Sequence, residues 1–264
     1  MGLFWAGLGH AALKQGPRPN VHRESFNIEG ITREAIIFIP PSAAKNPAPV
    51  VFVFHGHGGT MEKSLGQFSM PKNWPEAISV HMQGLNTKSA GDPEGKKPGW
   101  QGNPGDYNDR DLKFFDASLD RLIKSGKADA KHIYVTGFSN GGGFTYVLWA
   151  ARGDKIAAVA PGAAPNANRM IPQLKPKSVL SISGRKDPLV KYEKQMEAVE
   201  ALRKLNGCEG PGRQWGRQGT IYRSRNGTPV IALVHPGGHE VPDNVPVAIV
   251  KFFQGDMRHE EPAE

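Results

Sequence analysis

Short apolar runs alternate with amphipathic segments through most of the chain. The run Val50–Phe54 is apolar at every position, which is typical of a strand buried on both faces of a sheet. Residues 109–125 instead place apolar side chains at helical spacing and are followed by Gly126, which predicts an amphipathic helix that ends at the glycine. Because such strands and helices alternate, we predict an α/β fold with a mostly parallel central sheet and helices on both faces.

The other predicted elements continue this order. Strands are predicted over 77–82, 132–136, 156–160 and 178–183, and helices over 61–69, 140–152, 190–205 and 243–254. Segments 21–29 and 31–39 are close to a period of two, and we expect them to form antiparallel strands at the N-terminal edge of the sheet. Segments 220–222 and 229–235 flank Asn226-Gly227, which is a typical hairpin signal.

Length and composition are those of a globular protein with one large core. The chain has 264 residues and a mass of 28.7 kDa, which is enough to bury a core without disulfides. We predict one domain over 21–256, an N-terminal extension over 1–20 and a C-terminal tail over 257–264. The single cysteine, Cys208, excludes an intrachain disulfide. Residues 84–108 show no periodicity, and a loop of this length in a compact domain is usually functional or disordered.

Hydropathy and charge limit the partners that we expect. No stretch approaches the ~20 apolar residues of a membrane span, so we expect no membrane partner. The apolar N-terminus has no Lys or Arg before Lys14 and so lacks the basic region of a signal peptide; it is either a signal remnant or a frayed start. The formal net charge of +8 raises the question of a polyanionic partner. The basic stretch Arg213–Arg225 is explained more simply by a solvated hairpin, so we expect no nucleic acid.

The strongest chemical motif lies at a predicted junction of strand and helix. Residues 137–141 read Gly-Phe-Ser-Asn-Gly, a G-x-S-x-G match that is weak alone. Here it follows a predicted strand and opens a predicted helix, and a tight turn at that point exposes Ser139 as a candidate nucleophile. Each glycine of 141–143 would cost a helix up to ~1 kcal/mol relative to alanine, which indicates close approach of backbone or substrate. The alternative is a loop that ends in a flexible glycine run.

A serine nucleophile needs a base, and an acid is expected between the two along the chain. His239 lies in a loop beyond a strand end, and we favour it over His235, which is expected to be structural. Asp187 follows the predicted strand 178–183 and is the candidate acid, although it is also a candidate N-cap of the next helix. The other acidic residues between Ser139 and His239 are Asp154, Glu193, Glu197, Glu200 and Glu209. In this scheme Asp187 orients the imidazole and His239 moves the proton.

Hydrogen-bond donors for a developing oxyanion are expected at two places. The glycine-rich turn His55–Gly59 follows a buried strand, and we predict the backbone N–H of His57 as one donor. The backbone N–H of Asn140, at a helix N-terminus, is the other. A metal site at His55 and His57 is disfavoured, because side chains two residues apart face the same way only in a strand and no cysteine or acidic cluster is near. We therefore predict no metal and no cofactor.

Together these motifs resemble one known family. HGHGG after a buried strand, YVTGFSNGGG at the turn, GRKDP and GGHEVP resemble the α/β-hydrolase esterases grouped with polyhydroxybutyrate depolymerases, feruloyl esterases and acetyl-xylan esterases. The resemblance covers residues 30–254 and implies a triad of Ser139, Asp187 and His239. Since such relatives are commonly secreted, it also implies a secreted or periplasmic protein. Many relatives carry a cysteine pair near the active site, which a chain with one cysteine cannot form.

The resemblance implies a serine carboxylic-ester hydrolase that works through an acyl-enzyme. We expect feruloyl-type or other aryl and short-chain esters, as small molecules or linked to polysaccharide. Hydroxyalkanoate oligomers and acetylated xylan are the alternative substrates. A serine peptidase of the same fold fits less well because no peptide-gating segment is present. A non-catalytic relative also fits less well, since all three triad positions are filled.

Substrate specificity is expected to lie in loop 84–108. Trp100 and Tyr107 in this loop are predicted to stack on an aromatic acyl group, and ordinary packing within the loop is the alternative. Phe138, beside the candidate nucleophile, is the third predicted substrate contact. We expect a monomer, and we expect the arginines of Arg213–Arg225 to attract acidic polysaccharide.

Overall fold

The computed structural model describes residues 20–256, which contain twelve strands and seven α-helices. The strands are β1 (Val21–Ile28), β2 (Ile31–Phe38), β3 (Ala48–Phe54), β4 (Ile78–Met82), β5 (Leu85–Asn86), β6 (Pro98–Gly99), β7 (Ala128–Phe138), β8 (Ala158–Gly162), β9 (Ser178–Gly184), β10 (Arg213–Trp215), β11 (Gly219–Tyr222) and β12 (Val230–His235). The helices are α1 (Met61–Phe68), α2 (Met70–Asn73), α3 (Arg110–Lys124), α4 (Asn140–Arg152), α5 (Ala167–Met170), α6 (Tyr192–Leu205) and α7 (Asn244–Phe253). The predicted tail over 257–264 and, apart from residue 20, the predicted extension over 1–20 lie outside the described residues.

Ten of these strands form one sheet in the order β1-β2-β4-β3-β7-β8-β9-β12-β11-β10. The six central strands, from β4 to β12 in this order, are parallel. Two antiparallel strands flank them on each side. The predicted parallel sheet with an antiparallel N-terminal edge is confirmed. The strand β10 was not predicted, because its three residues are too few to show a period.

Helices cover both faces of the sheet, as predicted. On one face α3, α4 and α6 pack through buried apolar side chains such as those of Phe114 and Val147. On the other face α1, α2 and α7 pack through side chains such as those of Phe68 and Ile249. Among the described helices, none is both long enough and apolar enough to cross a membrane.

One helix begins later than predicted for a local reason. The backbone N–H groups of Leu189 and Val190 both donate to Asp187 Oδ1 at 2.8 Å, and this bonding holds a turn after β9. The helix α6 starts only at Tyr192, after Lys191. Asp187 is therefore not the N-cap of this helix, and that alternative is wrong.

The aperiodic segment 84–108 folds back on itself, because β5 pairs with β6 inside it. Near its end Tyr107, Asn108 and Asp109 have φ values of 51°, 55° and 55°, a left-handed conformation that is uncommon outside glycine. Asp109 Oδ1 accepts a hydrogen bond from Gln101 Nε2 at 2.9 Å. This bond links the left-handed turn to Gln101, which lies just after β6.

A buried ion pair ties the same segment to the body of the fold. Arg33 Nη2 on β2 lies 2.8 Å from Asp111 Oδ1 in the first turn of α3, and both side chains are almost fully buried. The second carboxylate oxygen of Asp111 accepts the backbone N–H of Gln101 at 2.9 Å. A charge at this depth is stable only when it is paired and hydrogen-bonded. These bonds fix the position of Gln101 relative to β2 and α3, and so limit the movement of the residues just before it.

Candidate active site

Ser139 lies at the sharp turn between β7 and α4. Its backbone has φ 56° and ψ −120°, a combination that side-chain-bearing residues rarely adopt. Ser139 N donates to Gly162 O at 2.9 Å, and Ser139 O accepts from Gly143 N at 2.8 Å. These two bonds hold the strained turn, and the serine side chain stands half-buried at the edge where the parallel strands end.

The glycines of this turn allow backbone to approach backbone. A Cβ atom at Gly137 would lie 2.5 Å from the carbonyl oxygen of Gly141. A Cβ at Gly141 would lie 2.3 Å from Phe54 O, and one at Gly142 would lie 2.3 Å from Gly162 O. Because no side chain fits at such distances, the glycines pack the start of α4 against the ends of β3 and β8. The alternative of a flexible glycine run is wrong.

The buried carboxylate of Asp187 holds His239. His239 Nδ1 lies 2.8 Å from Asp187 Oδ2, and the carboxylate is 0% exposed whereas the imidazole is 14% exposed. With Nδ1–H donated to the carboxylate, Nε2 is the nitrogen left to accept a proton. The rings of His239 and Phe138 pack with centroids 4.6 Å apart. Since Phe138 directly precedes Ser139, this contact places the imidazole near the turn that carries the serine.

Two backbone N–H groups lie next to Ser139. The turn after β3 runs against the serine, since a Cβ on Gly56 would lie 3.4 Å from Ser139 Cβ. His57 follows in this turn, and within residues 20–256 its N–H donates to no other backbone or side-chain group. Asn140 is the first residue of α4, and an N–H at that position has no acceptor inside the helix. Unpaired N–H groups therefore stand at both positions predicted for oxyanion donors.

Several curated proteins similar to this chain are named as esterases, although no family model matches it. A relative from Aspergillus niger named "Probable feruloyl esterase C" is 26% identical over 93% of this chain and 88% of its own length. A relative of the same name from Aspergillus terreus is 28% identical over 91% of this chain and 90% of its own length. The chain is therefore similar to feruloyl esterases over most of its length. The prediction of a carboxylic-ester hydrolase is thereby confirmed.

Solved structures show the fold of this esterase. The acetyl xylan esterase from Aspergillus awamori superposes with a TM-score of 0.66 at 14% sequence identity, over 88% of this chain and 99% of the other. A ferulic acid esterase superposes with a TM-score of 0.59 at 16% identity, over 89% of this chain and 96% of the other. The esterase has the α/β-hydrolase fold, as the motifs implied.

His235 is the other histidine close to the site. It is the last residue of β12 and is only 2% exposed, and burial lowers its pKa. A Cβ on Gly237 would lie 3.1 Å from His235 Nδ1, so the ring sits directly beneath the loop that carries His239. This position fits a structural role and leaves His239 as the histidine that can reach a substrate.

The alternative acidic residues of the esterase lie elsewhere. Surface ion pairs join Asp154 to Lys175, Glu197 to Lys194, Glu200 to Arg203 and Glu209 to Arg225. Glu193 lies in the first turn of α6. Among the described residues, no hydrogen bond or ion pair joins any of the five to His239. Asp187 is therefore the carboxylate that the fold brings to the imidazole.

The two histidines of the turn after β3 are engaged separately. His55 is buried, its Nδ1 lies 2.8 Å from Gly56 O, and its Nε2 accepts the N–H of Gly84 at 3.0 Å. Burial lowers the pKa of His55, which agrees with a neutral ring bonded in this way. His57 Nε2 instead lies 3.1 Å from Asp92 Oδ2. In the part of the chain that the structure describes, no group of three or more potential ligands could hold a metal ion.

Trp100 is a core residue, so the prediction that it contacts substrate is wrong. Its side chain is 1% exposed, and its indole N–H donates to His55 O at 2.8 Å. The ring stacks on Phe144 at 5.3 Å and meets Phe54 edge-on at 5.1 Å. The alternative of ordinary packing holds for this residue, because its indole is bonded to His55 and enclosed by Phe54 and Phe144.

The other two aromatic residues remain at or near the surface. Tyr107 is 41% exposed, but the guanidinium of Arg110 covers its ring at 4.2 Å and its hydroxyl accepts the N–H of Lys88 at 3.0 Å. Phe138 is half-buried against His239. A substrate contact stays a prediction for both residues, and Phe138 is the one whose position beside Ser139 the structure defines.

Asp92 and residues 98–99 contact the turn after β3 in a way that was not predicted, although the loop that contains them was expected to line the site. Asp92 accepts hydrogen bonds from the backbone of Lys96 and Lys97 at 3.1 and 2.8 Å, and these bonds, with the neighbouring His57, hold the pKa of its carboxyl below the usual range. Both features belong to an aperiodic loop. No sequence period or motif could have indicated them, because their contacts reach residues 35 to 40 positions away.

Proposed function

We propose that this esterase hydrolyses its substrates through an acyl-enzyme formed on Ser139, with His239 as the base and Asp187 as the residue that orients it. The observation that carries the proposal is the strained serine turn beside an imidazole whose Nδ1 is fixed by a buried carboxylate. A carboxylate in that position keeps Nε2 free to accept a proton and stabilises the imidazolium that results.

The steps follow from this arrangement. His239 Nε2 takes the proton of the Ser139 hydroxyl as the serine oxygen attacks the ester carbonyl. The negative charge that develops on the carbonyl oxygen is held by the N–H groups of His57 and Asn140. When the bond to the alcohol breaks, the imidazolium returns its proton to the leaving oxygen. Water then attacks the acyl-enzyme in the same way and releases the carboxylic acid.

For the substrate we propose feruloyl-type or other aryl and short-chain esters, free or linked to polysaccharide. The names of the curated relatives support a hydroxycinnamoyl ester. The half-buried Phe138 ring beside His239 supports an aromatic contact with such an acyl group. Acetylated xylan is the second candidate, since a bifunctional acetylxylan esterase/xylanase from Neocallimastix patriciarum is 25% identical over 62% of this chain. Hydroxyalkanoate oligomers remain the third.

Replacing the proposed nucleophile tests this function. We expect Ser139→Ala to lower kcat on p-nitrophenyl acetate and methyl ferulate by at least about a thousandfold. The matched control is Ser42→Ala, an exposed serine remote from the site, which is expected to keep wild-type rates. Both proteins are checked for folding by circular dichroism. If folded Ser139→Ala keeps more than about 1% of wild-type turnover, the assignment of the nucleophile is wrong.

We also propose that residues 21–256 form a single catalytic domain, that the protein is a monomer and that it is secreted or periplasmic. The continuous sheet through the described residues supports the single domain. A light-scattering mass near 28.7 kDa would support the monomer, and twice that value would contradict it. Cell fractionation in the native host tests the location, and activity confined to the cytoplasm would contradict export.

A further inference from the structure

The segment Pro98–Trp100 contacts both residues whose backbone N–H groups the proposed mechanism uses to hold the oxyanion. It lies in the second half of the aperiodic loop 84–108, and β6 at its start pairs with β5. One set of contacts, the His57 arm, reaches His57 and Gly58. The other set, the Asn140 arm, reaches Asn140. A single short segment therefore bridges the two sides of the proposed oxyanion hole.

The Asn140 arm is a pair of hydrogen bonds between a side chain and one backbone unit. Asn140 Oδ1 accepts the N–H of Trp100 at 2.7 Å, and Asn140 Nδ2 donates to Trp100 O at 3.2 Å. Two parallel bonds fix both the position and the rotation of the amide group. Because Asn140 is the first residue of α4, they also fix the start of the helix.

The His57 arm consists of a backbone bond and a ring contact. Gly58 N donates to Pro98 O at 2.7 Å, which joins the turn after β3 to the segment. The imidazole of His57 lies against Gly99, and its Nε2 is held by Asp92 Oδ2 at 3.1 Å. The bond to Asp92 keeps the ring from turning away from Gly99.

The segment itself is anchored from below. The indole N–H of Trp100 bonds to His55 O at 2.8 Å, and the following N–H, that of Gln101, bonds to the buried carboxylate of Asp111 at 2.9 Å. The Trp100 ring is enclosed by Phe54 and Phe144. Because the segment is buried and hydrogen-bonded in this way, it cannot shift to make room for an added group. An added group at Gly99 would therefore displace the residues that contact it.

We propose that Gly99 is a positioning residue, whose missing side chain lets this segment hold the His57 and Asn140 N–H groups at the spacing that one oxyanion requires. A Cβ at Gly99 would lie 2.7 Å from His57 Nδ1 and 2.9 Å from Asn140 Oδ1. Both atoms belong to groups fixed by other hydrogen bonds, so a methyl group would push the two donor residues apart. The inference rests on the proposed function, because it concerns the transition state of that reaction.

The test compares Gly99→Ala with Gly91→Ala. Gly91 lies in the same loop, and a Cβ there would meet nothing within 4 Å, so this variant is a matched control. Loss of one oxyanion donor lowers kcat by about a hundredfold or more. A donor that is displaced but still present is expected to lower kcat by less than that. We therefore expect Gly99→Ala to lower kcat on p-nitrophenyl acetate about ten- to hundredfold, with KM within about threefold of wild type. Gly91→Ala is expected to match wild type in both constants.

A second readout separates positioning from a general structural defect. An alkylboronic acid binds a serine esterase as a tetrahedral adduct, whereas the product carboxylate binds in the planar ground state. We expect the inhibition constant of the boronic acid to rise in Gly99→Ala by the same factor as kcat falls, and that of the carboxylate to stay unchanged. If Gly99→Ala does not fold, Asn140→Ala removes one arm without a clash, and the same pattern is expected of it.

The outcomes distinguish this inference from the proposed function. If wild type hydrolyses no ester, both proposals are wrong. If wild type and Gly91→Ala are active and Gly99→Ala equals them, the positioning role alone is overturned. It is also overturned if Gly99→Ala raises KM at unchanged kcat, or if the affinities for boronic acid and carboxylate fall together. In those two cases the methyl group would have changed ground-state binding rather than the alignment of the donors.

Discussion

At the scale of single residues, the site depends on contacts that exclude a side chain. The turn at Ser139 places helix backbone against strand backbone. Gly141 is one of the closest points, because a Cβ there would lie 2.3 Å from Phe54 O and 2.5 Å from His55 O. Neither carbonyl can move without disturbing the end of β3. The glycine is therefore a requirement of the fold as well as of the site.

We expect Gly141→Ala to lower the free energy of unfolding by at least about 3 kcal/mol, because overpacking against backbone cannot be relieved by a change of rotamer. Urea unfolding measures this value. The matched control is Gly66→Ala in α1, where a Cβ would meet nothing within 4 Å, and a gain of up to ~1 kcal/mol is expected there. Equal stability of the two variants would contradict the close packing of α4 on β3.

Single residues also show how much of the candidate site the sequence indicates. Ser139, Asp187 and His239 each follow a strand end, and the ends of parallel strands lie at one edge of a sheet. This rule was enough to predict that the three residues lie at the same edge, where His239 and Asp187 form a hydrogen bond. Trp100 was misassigned because an aromatic residue in an aperiodic loop looks exposed, whereas its burial depends on contacts with β3 and α4 that no local pattern contains.

At the scale of elements, the central strand β4 carries a titratable side chain into the core. His81 is fully buried, with Nδ1 3.1 Å from Ser64 Oγ and no partner for Nε2 among the described residues. Since Ser64 Oγ donates to Met61 O at 3.0 Å, it accepts from His81, and the ring is neutral. Burial lowers the pKa of His81 to about 3.

This burial predicts a specific loss of stability in acid. In the unfolded chain an imidazole takes up a proton near pH 6.5, whereas His81 in the folded protein does so only near pH 3. The unfolded state therefore binds more protons between these values, and stability falls as pH decreases, by up to about 1.4 kcal/mol per pH unit. Above pH 6.5 the residue contributes no pH dependence.

Urea unfolding of wild type and His81→Leu at pH 7 and pH 5 checks this expectation. The difference in unfolding free energy between pH 7 and pH 5 is expected to be smaller in the variant, by about 1–2 kcal/mol. Other buried histidines, such as His55 and His235, are present in both proteins, so their contributions cancel. An identical loss of stability in both proteins would mean that His81 does not remain neutral in the folded state.

The elements also mark the limit of what periodicity predicts. Strands and helices of five or more residues were predicted within two residues of their observed bounds, because each buries a recognisable face; β7 is the exception and begins four residues before its predicted start. The strands β5, β6 and β10 have two or three residues, which is too short for a period. These strands form only by pairing with partners that lie distant in the chain or across a loop, so no local pattern indicates them. For this reason the arrangement of the loop 84–108 could not be predicted from the sequence.

At the scale of the whole molecule, the fold separates the basic stretch from the catalytic edge. Arg223 and Arg225 precede β12, at the edge where the parallel strands begin, whereas the residues of the site follow the ends of β7, β9 and β12. Only Arg217 lies in the turn between β10 and β11, next to the end of β12. The expectation that the arginines of Arg213–Arg225 act together to attract acidic polysaccharide to the site is therefore not supported by their arrangement.

Phosphonylation tests the catalytic assignment of the whole molecule most directly. An activated p-nitrophenyl alkylphosphonate transfers its phosphonyl group to a serine that a neighbouring base has activated, and p-nitrophenolate leaves. Mass spectrometry of the intact protein and of its peptides is expected to find one phosphonyl group per chain, on Ser139, with activity lost in proportion and no label on Ser139→Ala. If the fully labelled protein still hydrolyses esters, or if the label lies on another residue, the triad proposed here is not the one that the enzyme uses.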